Sequence, residues 1–416
     1  MTVAVRETGR TDECGERSLM TACRRWLVRT VSVLVLLPVL AGCALLGKDD
    51  EDEDIQAYVE PTPGQEVAVE EVWSSSVTGN PRKYLQHPSG FSVHGRDLYV
   101  GSYEEGGVPF FRNYYGRVIR VDVKDGDIIW RREIDDALIG GVGTDGTRVF
   151  AGTVEGDVIA LDTADGSEVW RTALPASVAS PLTVEDGRVI FVTLDNRTYA
   201  LDAKEGTKLW VHSSVSENLV VMGAAKPTVA EGRVFVGYSS GEVFALNLED
   251  GSRLWSDNMT VLGARTELDR VQDVDAPLVV SERRVFAVNH QGSLIAFHPP
   301  TGVRIWEREM SAVRQPLLDG DRLYVADIEG FITAVSAQDG IPLWRTRLSD
   351  ALLSAPVMYG GHIMVFDSVG RHFAVDPTSG DVVGLSRLND EVFADPLVAQ
   401  ESLFLWTNEG NLYRFK

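Results

Sequence analysis

Six times in this 416-residue chain a tryptophan stands fourteen residues after a glycine-type residue. The markers Gly116, Gly156, Asn196, Gly241, Gly292 and Gly330 are followed at that offset by Trp130, Trp170, Trp210, Trp255, Trp306 and Trp344. Gly370 and Gly410 mark two further units, but the slot after Gly370 holds Gly384 and the slot after Gly410 would fall past Lys416. The missing strand has a counterpart near the other end, in Glu71-Val72-Trp73. Self-similarity at about 40 residues marks a propeller or a solenoid, and only a closed ring completes its last sheet with its first strand. The spacing predicts an all-β fold over residues 66–416: an eight-bladed β-propeller of four-stranded antiparallel blades, closed by the N-terminal strand.

Residues 181–211 show how one repeat makes one blade. Pro181–Val184, Gly187–Val192, Thr198–Asp202 and Lys208–Trp210 are four β-rich runs parted by turn residues, with no helical periodicity between them. A second glycine recurs ten residues after each marker, from Gly126 to Gly380, usually behind Asp or Glu, where a tight hairpin needs positive φ. Alanine fills the third strand at Ala160, Ala200, Ala245, Ala296, Ala334 and Ala374, which leaves room for the bulk of an outer-strand tryptophan. The tryptophans are thus expected to join blade to blade. The pattern Ala160-Leu161-Asp162 through Gly166 to Trp170 resembles the pyrroloquinoline-quinone-like propeller repeat. That resemblance implies an architecture and leaves function open.

The net charge of -22 argues against nucleic acid as a partner, because binding a polyanion requires a basic patch that displaces counterions. Cys14, Cys23 and Cys43 all precede the first blade, so no disulfide or thiol chemistry is available to the ring. Arg24, Arg25 and Arg29 lead into the apolar run Val31–Leu40, which ends in Leu40-Ala41-Gly42-Cys43. A basic flank, a short apolar core and small residues before a cut predict a signal peptide over residues 1–42, with Met20 as an alternative start. The end of that segment resembles the bacterial lipobox, which implies acylation of Cys43. Ala44 rather than aspartate follows, which favours the outer membrane, lipid-anchored on its periplasmic side. Residues 43–65, with their run Lys48–Asp54 and Pro61-Thr62-Pro63, read as an extended acidic tether.

Nothing in the ring forms a recognisable catalytic constellation. The histidines His87, His94, His212, His290, His298, His362 and His372 lack metal-ligand spacing, and no nucleophile elbow, phosphate loop or EF-hand loop is present. No catalytic, metal or cofactor residue is therefore assigned, and the expected class is a non-enzymatic scaffold. Two alternatives are a periplasmic quinoprotein oxidoreductase and a ligand- or cell-wall-binding sensor.

The connections between blades carry more information. From a tryptophan to the proline that opens the next blade the spacing is 11 after Trp170, 10 after Trp306 and 12 after Trp344, but 17 after Trp210 and 22 after Trp255. Strand alternation puts these crossovers on the same face as the turns between second and third strands. The two long ones are neighbours. One is apolar, with Leu219, Val221 and Met222; the other is charged, with Arg265, Glu267, Asp269, Arg270, Asp273 and Asp275. Long ordered loops on a rigid scaffold are a plausible protein-binding patch. A third insertion, Gly101–Tyr115, is aromatic and is expected to be a pliable loop that contacts an unfolded apolar chain.

Lipobox, eight repeats and the stretch Glu267–Asp275 together resemble the BamB family of outer membrane protein assembly factors. The resemblance spans residues 43–416. It implies that the two long crossovers contact BamA, the barrel-inserting subunit of the β-barrel assembly complex, through Leu219 and Val221 on one side and Asp273 and Asp275 on the other. It also implies unfolded outer membrane proteins as clients. The family commonly has arginine where Met222 stands, a departure that bears on the polar part of that contact.

Overall fold

The computed structural model describes residues 69–78, 90–108, 111–214, 224–259, 274, 276–290 and 292–416, with the backbone alone for strand residues 103–108 and 111–114. These residues form eight four-stranded antiparallel sheets. Seven sheets take their strands in chain order, as blade 3 does with Thr183–Glu185, Arg188–Thr193, Arg197–Asp202 and Lys208–Ser213. The eighth has Leu397–Ala399, Ser402–Trp406 and Asn411–Phe415, and its outer strand is Glu71–Ser76. Trp73 pairs with Arg414 and Ser75 with Leu412, while Glu70 and Lys416 exchange backbone hydrogen bonds of 3.1 and 2.8 Å. The ring is closed by the strand that the repeat spacing singled out.

The blades adhere through a repeated clasp. Each tryptophan lies across from the third-strand residue of its own blade, for example Trp170 opposite Ala200's counterpart Ala160. Its indole then reaches the next blade in two ways. The indole N–H of Trp170 donates to the Ala203 carbonyl at 3.1 Å, and its ring covers the hairpin glycine Gly206 so closely that a Cβ there would lie 2.6 Å away. Trp73 repeats the contact across the closure, donating to Val123 at 3.1 Å and covering Gly126. Gly206 has φ +70, so its missing side chain serves both the turn and the neighbour's ring. The same donor geometry joins Trp130 to Thr163, Trp210 to Leu248, Trp255 to Pro299, Trp306 to Ala337 and Trp344 to Pro377. An aromatic ring buried this way removes apolar area and also satisfies its one polar atom.

Two positions in the pattern are filled differently. In blades 1 and 8 the alanine slot holds Arg120 and Arg414, opposite Trp130 and Trp73. Arg120 is clamped by both carboxylate oxygens of Asp97 at 2.9 Å and donates at 2.8 Å to the same Thr163 carbonyl that Trp130 uses. Arg414 likewise shares the Val123 carbonyl with Trp73 and adds Lys124. The guanidinium plane replaces a small neighbour with a second cross-blade donor.

Gly384 marks the other exception. It pairs with Ala374 where a tryptophan would stand. Blade 8 makes no hairpin from its third strand into a fourth, since Glu71–Ser76 occupies that edge, so no hairpin glycine faces Gly384. The seam is filled instead by Val69, Val383, Leu388, Tyr413 and Phe415 around Phe366 and Met364. His372 packs there too, its ring 5.4 Å from Phe366 and 6.3 Å from Phe415. Burial holds it neutral and pushes its pKa down to about 4.

The insertion in blade 1 is a correction to expectation. Its backbone continues the ladder as strands Asp97–Val108 and Phe111–Asp122, paired from Asp97↔Asp122 out to Val108↔Phe111. Tyrosine, phenylalanine and valine dominate it, and such residues favour a pleated strand over a loose loop. For the same reason Gly116 lies inside a strand, whereas Gly156, Gly241 and Gly330 take positive φ at their turns.

Trp170→Ala should lower stability by about 3–5 kcal/mol in urea denaturation. Gly206→Ala, which drives a Cβ into that ring, should cost about 1–3 kcal/mol. Gly384→Trp, though it restores the repeat, should destabilise the protein, having no hairpin to cover. Below pH 6.5 the unfolded chain protonates His372 while the folded chain does not, so stability falls as pH drops from 6.5 to 4. That component amounts to roughly 3 kcal/mol and should vanish from the pH profile of His372→Phe.

Candidate partner-binding face

Where seven of the eight outer strands end, the next residue bonds back to the marker residue of its own blade. Val77 donates to Gly410 at 2.9 Å, Leu174 to Gly156 at 2.9 Å, Ser214 to Asn196 at 3.2 Å and Met259 to Gly241 at 2.8 Å. Met310, Leu348 and Leu388 do the same to Gly292, Gly330 and Gly370. Crossovers and second-to-third-strand turns therefore emerge together, on one face.

The two long crossovers are rooted on a single segment of that face, the turn Tyr238–Glu242 of blade 4. Ser214, at the exit of blade 3, hydrogen-bonds through its hydroxyl to the Glu242 carboxylate, which also accepts from Ser240 at 2.9 Å. Met259, at the exit of blade 4, is buried and held by Gly241. Val274, farther along the second crossover, is buried in the same cluster as Met259, donates to the Tyr238 carbonyl at 3.4 Å, and fills the space where a side chain on Gly237 would sit. Tyr238 itself is sealed inside; its hydroxyl meets Thr198 of blade 3 at 2.6 Å, and burial raises its pKa. Ser239 adds a 3.1 Å bond to the Asn196 amide oxygen. One turn thus fastens the exits of two blades, and it does so with satisfied polar groups in a packed core.

Leu219, Val221, Met222, Arg265, Glu267, Asp269, Arg270, Asp273 and Asp275 lie outside the described residues, as does Cys43. What the fold supplies is their footing: Ala225 is buried just after the first group, and Val274 is buried between Asp273 and Asp275. The anchoring role of this turn was not legible in the sequence, because Tyr238-Ser239-Ser240-Gly241 reads as one more β-turn.

Another polar cluster on this face, around Asp390, is internally satisfied. The Asp390 carboxylate accepts from Thr407 at 2.9 Å, Asn411 at 2.8 Å and Tyr413 at 2.9 Å, locking the last crossover to blade 8. Among the described residues no three of His, Cys, Asp and Glu gather in a way that could hold a metal. His212, like His372, is pushed down by burial and lies against an aromatic ring, 4.9 Å from Phe244.

The fold defines the protein first as an eight-bladed propeller of tryptophan-clasped repeats whose two longest crossovers start from neighbouring blades. A family model described as outer membrane protein assembly factor BamB matches residues 115–340, 313–383 and 329–416. The BamB of Pseudomonas aeruginosa is 36% identical over 353 residues, covering 84% of this chain and 90% of that protein. The chain belongs to the BamB family of outer membrane protein assembly factors. The BamB proteins of Salmonella typhimurium and Escherichia coli match at 33% and 32% identity over 150 residues, 36% of this chain and only 38% of each relative's length. The crystal structure of BamB from Moraxella catarrhalis superposes with a TM-score of 0.72 at 22% identity, covering 84% of this chain and all of that one. A quinohemoprotein alcohol dehydrogenase from Pseudomonas putida shares the fold alone, with a TM-score of 0.64 at 12% identity over 85% of this chain and 77% of its own.

Val274→Ala together with Met259→Ala should loosen the second crossover without opening the ring. Tryptic cleavage at Arg265 or Arg270 should accelerate several-fold well below the global melting temperature; unchanged cleavage would contradict the anchor.

Proposed function

We propose that this chain is a non-enzymatic scaffold lipoprotein of the β-barrel assembly machinery. In this reading residues 1–42 are removed as a signal peptide and acylated Cys43 holds the protein at the periplasmic face of the outer membrane. Residues 43–65 act as a solvated tether, and the ring presents its crossover face to BamA. The observation that carries the reading is the common footing of two long crossovers on Tyr238–Glu242. Fixing the ends of both crossovers on one packed turn lowers the ordering entropy that docking would cost. The apolar group Leu219, Val221 and Met222 supplies desolvated contact area. The charged group Arg265, Glu267, Asp269, Arg270, Asp273 and Asp275 supplies orientation and steering.

Family membership supports a role in outer membrane protein assembly, with unfolded outer membrane proteins as clients brought to the same complex. The quinoprotein fold is shared, but the three cysteines all precede the blades, and the polar clusters of the crossover face are engaged in holding blades together. A scaffold needs nothing else from that face than shape and fixed charge.

Asp273→Lys with Asp275→Lys should abolish copurification with BamA while far-UV circular dichroism and melting temperature stay near those of the parent. Retained copurification would remove those residues from the interface. Cys43→Ser should release the protein from the membrane fraction and leave the ring folded.

A further inference from the structure

At the seam that closes the ring the structure holds a cleft of about 620 Å3. Ser76, Val77 and Thr78, at the end of the closing strand, line one side, and Arg117, Arg131, Arg132 and Glu133 of blade 1 line the other. Among the described residues Val77 is the one apolar member of that lining, and it is buried. The strand ladder fixes which side chains look across the seam. Arg117 pairs with Glu133 and Ile119 with Arg131, and Ile119 is buried in the cluster that contains Val77. Arg117, Arg131 and Glu133 therefore share the face turned to the closing strand, while Arg132 alternates to the other.

The other blades serve as internal controls. The residue after each marker and the residue fifteen after it are diagonal neighbours on adjacent strands, roughly 7–8 Å apart. In blade 2 these are Asp157 and Arg171, joined at 2.8 Å, and Glu168 adds a second contact at 3.0 Å. In blade 6, Arg345 lies 4.0 Å over the Phe331 ring and meets Asp327 at 3.1 Å. In blade 7, Arg371 takes the first position and meets Asp350 at 2.8 Å. Blade 1 has arginine in both positions. Arg117 is fixed: it bonds to Glu133 at 3.1 Å, has the Tyr115 ring centre 5.7 Å away, and leaves only 16% of its side chain exposed. Arg131 has no ion pair or hydrogen bond among the described residues. Two guanidiniums thus share one wall with a single carboxylate, in a chain whose net charge is -22. Like charges so placed repel, and an oxyanion bound between them removes the repulsion.

We propose that this cleft binds a phosphate monoester on a polar carrier, whose oxygens give Arg131 the anion that Asp157 gives Arg171. Charge selects phosphate over carboxylate. Three arginines against one glutamate leave two positive charges on the lining, which a monoester of about -1.5 to -2 balances and a carboxylate only half balances. Guanidinium forks also suit its oxygens, which accept from both arginines at once. Size selects the carrier. The cleft has the volume of roughly 20 waters, so a bare phosphate leaves most of it to the group that bears it, and the polar lining suits a glycerol or a sugar. The site lies between blades 8 and 1 and does not depend on a partner at the crossovers rooted on blade 4.

The test is isothermal titration of the full chain with three probes: glycerol phosphate, dihexanoyl phosphatidic acid, and glutamate capped at both ends. Saturable binding of a phosphate monoester is expected, about tenfold tighter than capped glutamate and weakened about tenfold by Arg131→Gln. Glycerol phosphate bound at least as tightly as the lipid names a soluble ester as the source, and a tighter lipid names a membrane head group. Arg131→Glu, which offers Arg117 a second carboxylate from within the chain, should abolish binding while the melting temperature holds or rises. No saturable binding of either ester, capped glutamate bound as tightly, or binding indifferent to Arg131→Gln would overturn the site. A melting temperature lowered by several degrees in Arg131→Gln would overturn it too, by showing that the guanidinium already has a structural partner. Failure here leaves the BamA interface standing, and failure of copurification leaves the cleft standing.

Discussion

The structure depends on one contact made seven times: an indole from the outer strand of one blade laid on the hairpin glycine of the next, with its N–H on a carbonyl beside that hairpin. A four-stranded sheet has two faces to bury and cannot do so alone, so each blade is stable only against its neighbours. The clasp supplies area and direction together. Apolar burial is indifferent to register, but an N–H that must meet one carbonyl, over a glycine that admits no Cβ, fixes how far each blade turns relative to the last. Closure follows from the same device, because Trp73 makes with Val123 and Gly126 the contact that other tryptophans make within continuous chain.

A closed ring gives its loops a stationary base. The crossovers leave from outer strands pinned to the turns of their own blades, and the longest two leave from one turn that is itself locked between blades 3 and 4 through Tyr238 and Thr198. For the proposed docking surface the propeller supplies rigid footing, and the sequence supplies two insertions of unusual length. The entries of blades 6 to 8 are tied together in the same way, by Arg314 lying 3.6 Å from Asp395 and donating to the Phe393 carbonyl, and by Asp395 accepting from the Ala355 N–H.

Much of this was readable in the sequence because the clasp has a spelling. Tryptophan and glycine at fixed offsets name the blade, its outer strand, its hairpin and the strand that closes the ring. The exceptions were visible as breaks without their reasons. Gly384 is a missing tryptophan in the sequence, but its cause is the absent hairpin of a blade finished by a distant strand. Arg120 and Arg414 break the alanine rule, and only the structure places them on carbonyls already used by indoles. The glycines of Gly101–Tyr115 read as a pliable aromatic loop, whereas the backbone of Asp97–Val108 and Phe111–Asp122 pairs as a long hairpin, which satisfies its polar groups better than an open loop can. Loop length exposed the candidate face, but not its root: Tyr238–Glu242 contacts residues from 196 to 274, and such assembly from distant segments leaves no local pattern.

The most direct measurement is native-state hydrogen exchange at the backbone amides of the closing strand, Glu71–Ser76, against those of the outer strands in blades 3 to 6. If the ring is closed as described, the amides bonded to Asn411–Phe415 exchange only through the same global opening that governs Lys208–Ser213 and Arg304–Glu309. Exchange of the closing strand at rates near those of unstructured chain, while the other blades remain protected, would contradict the account.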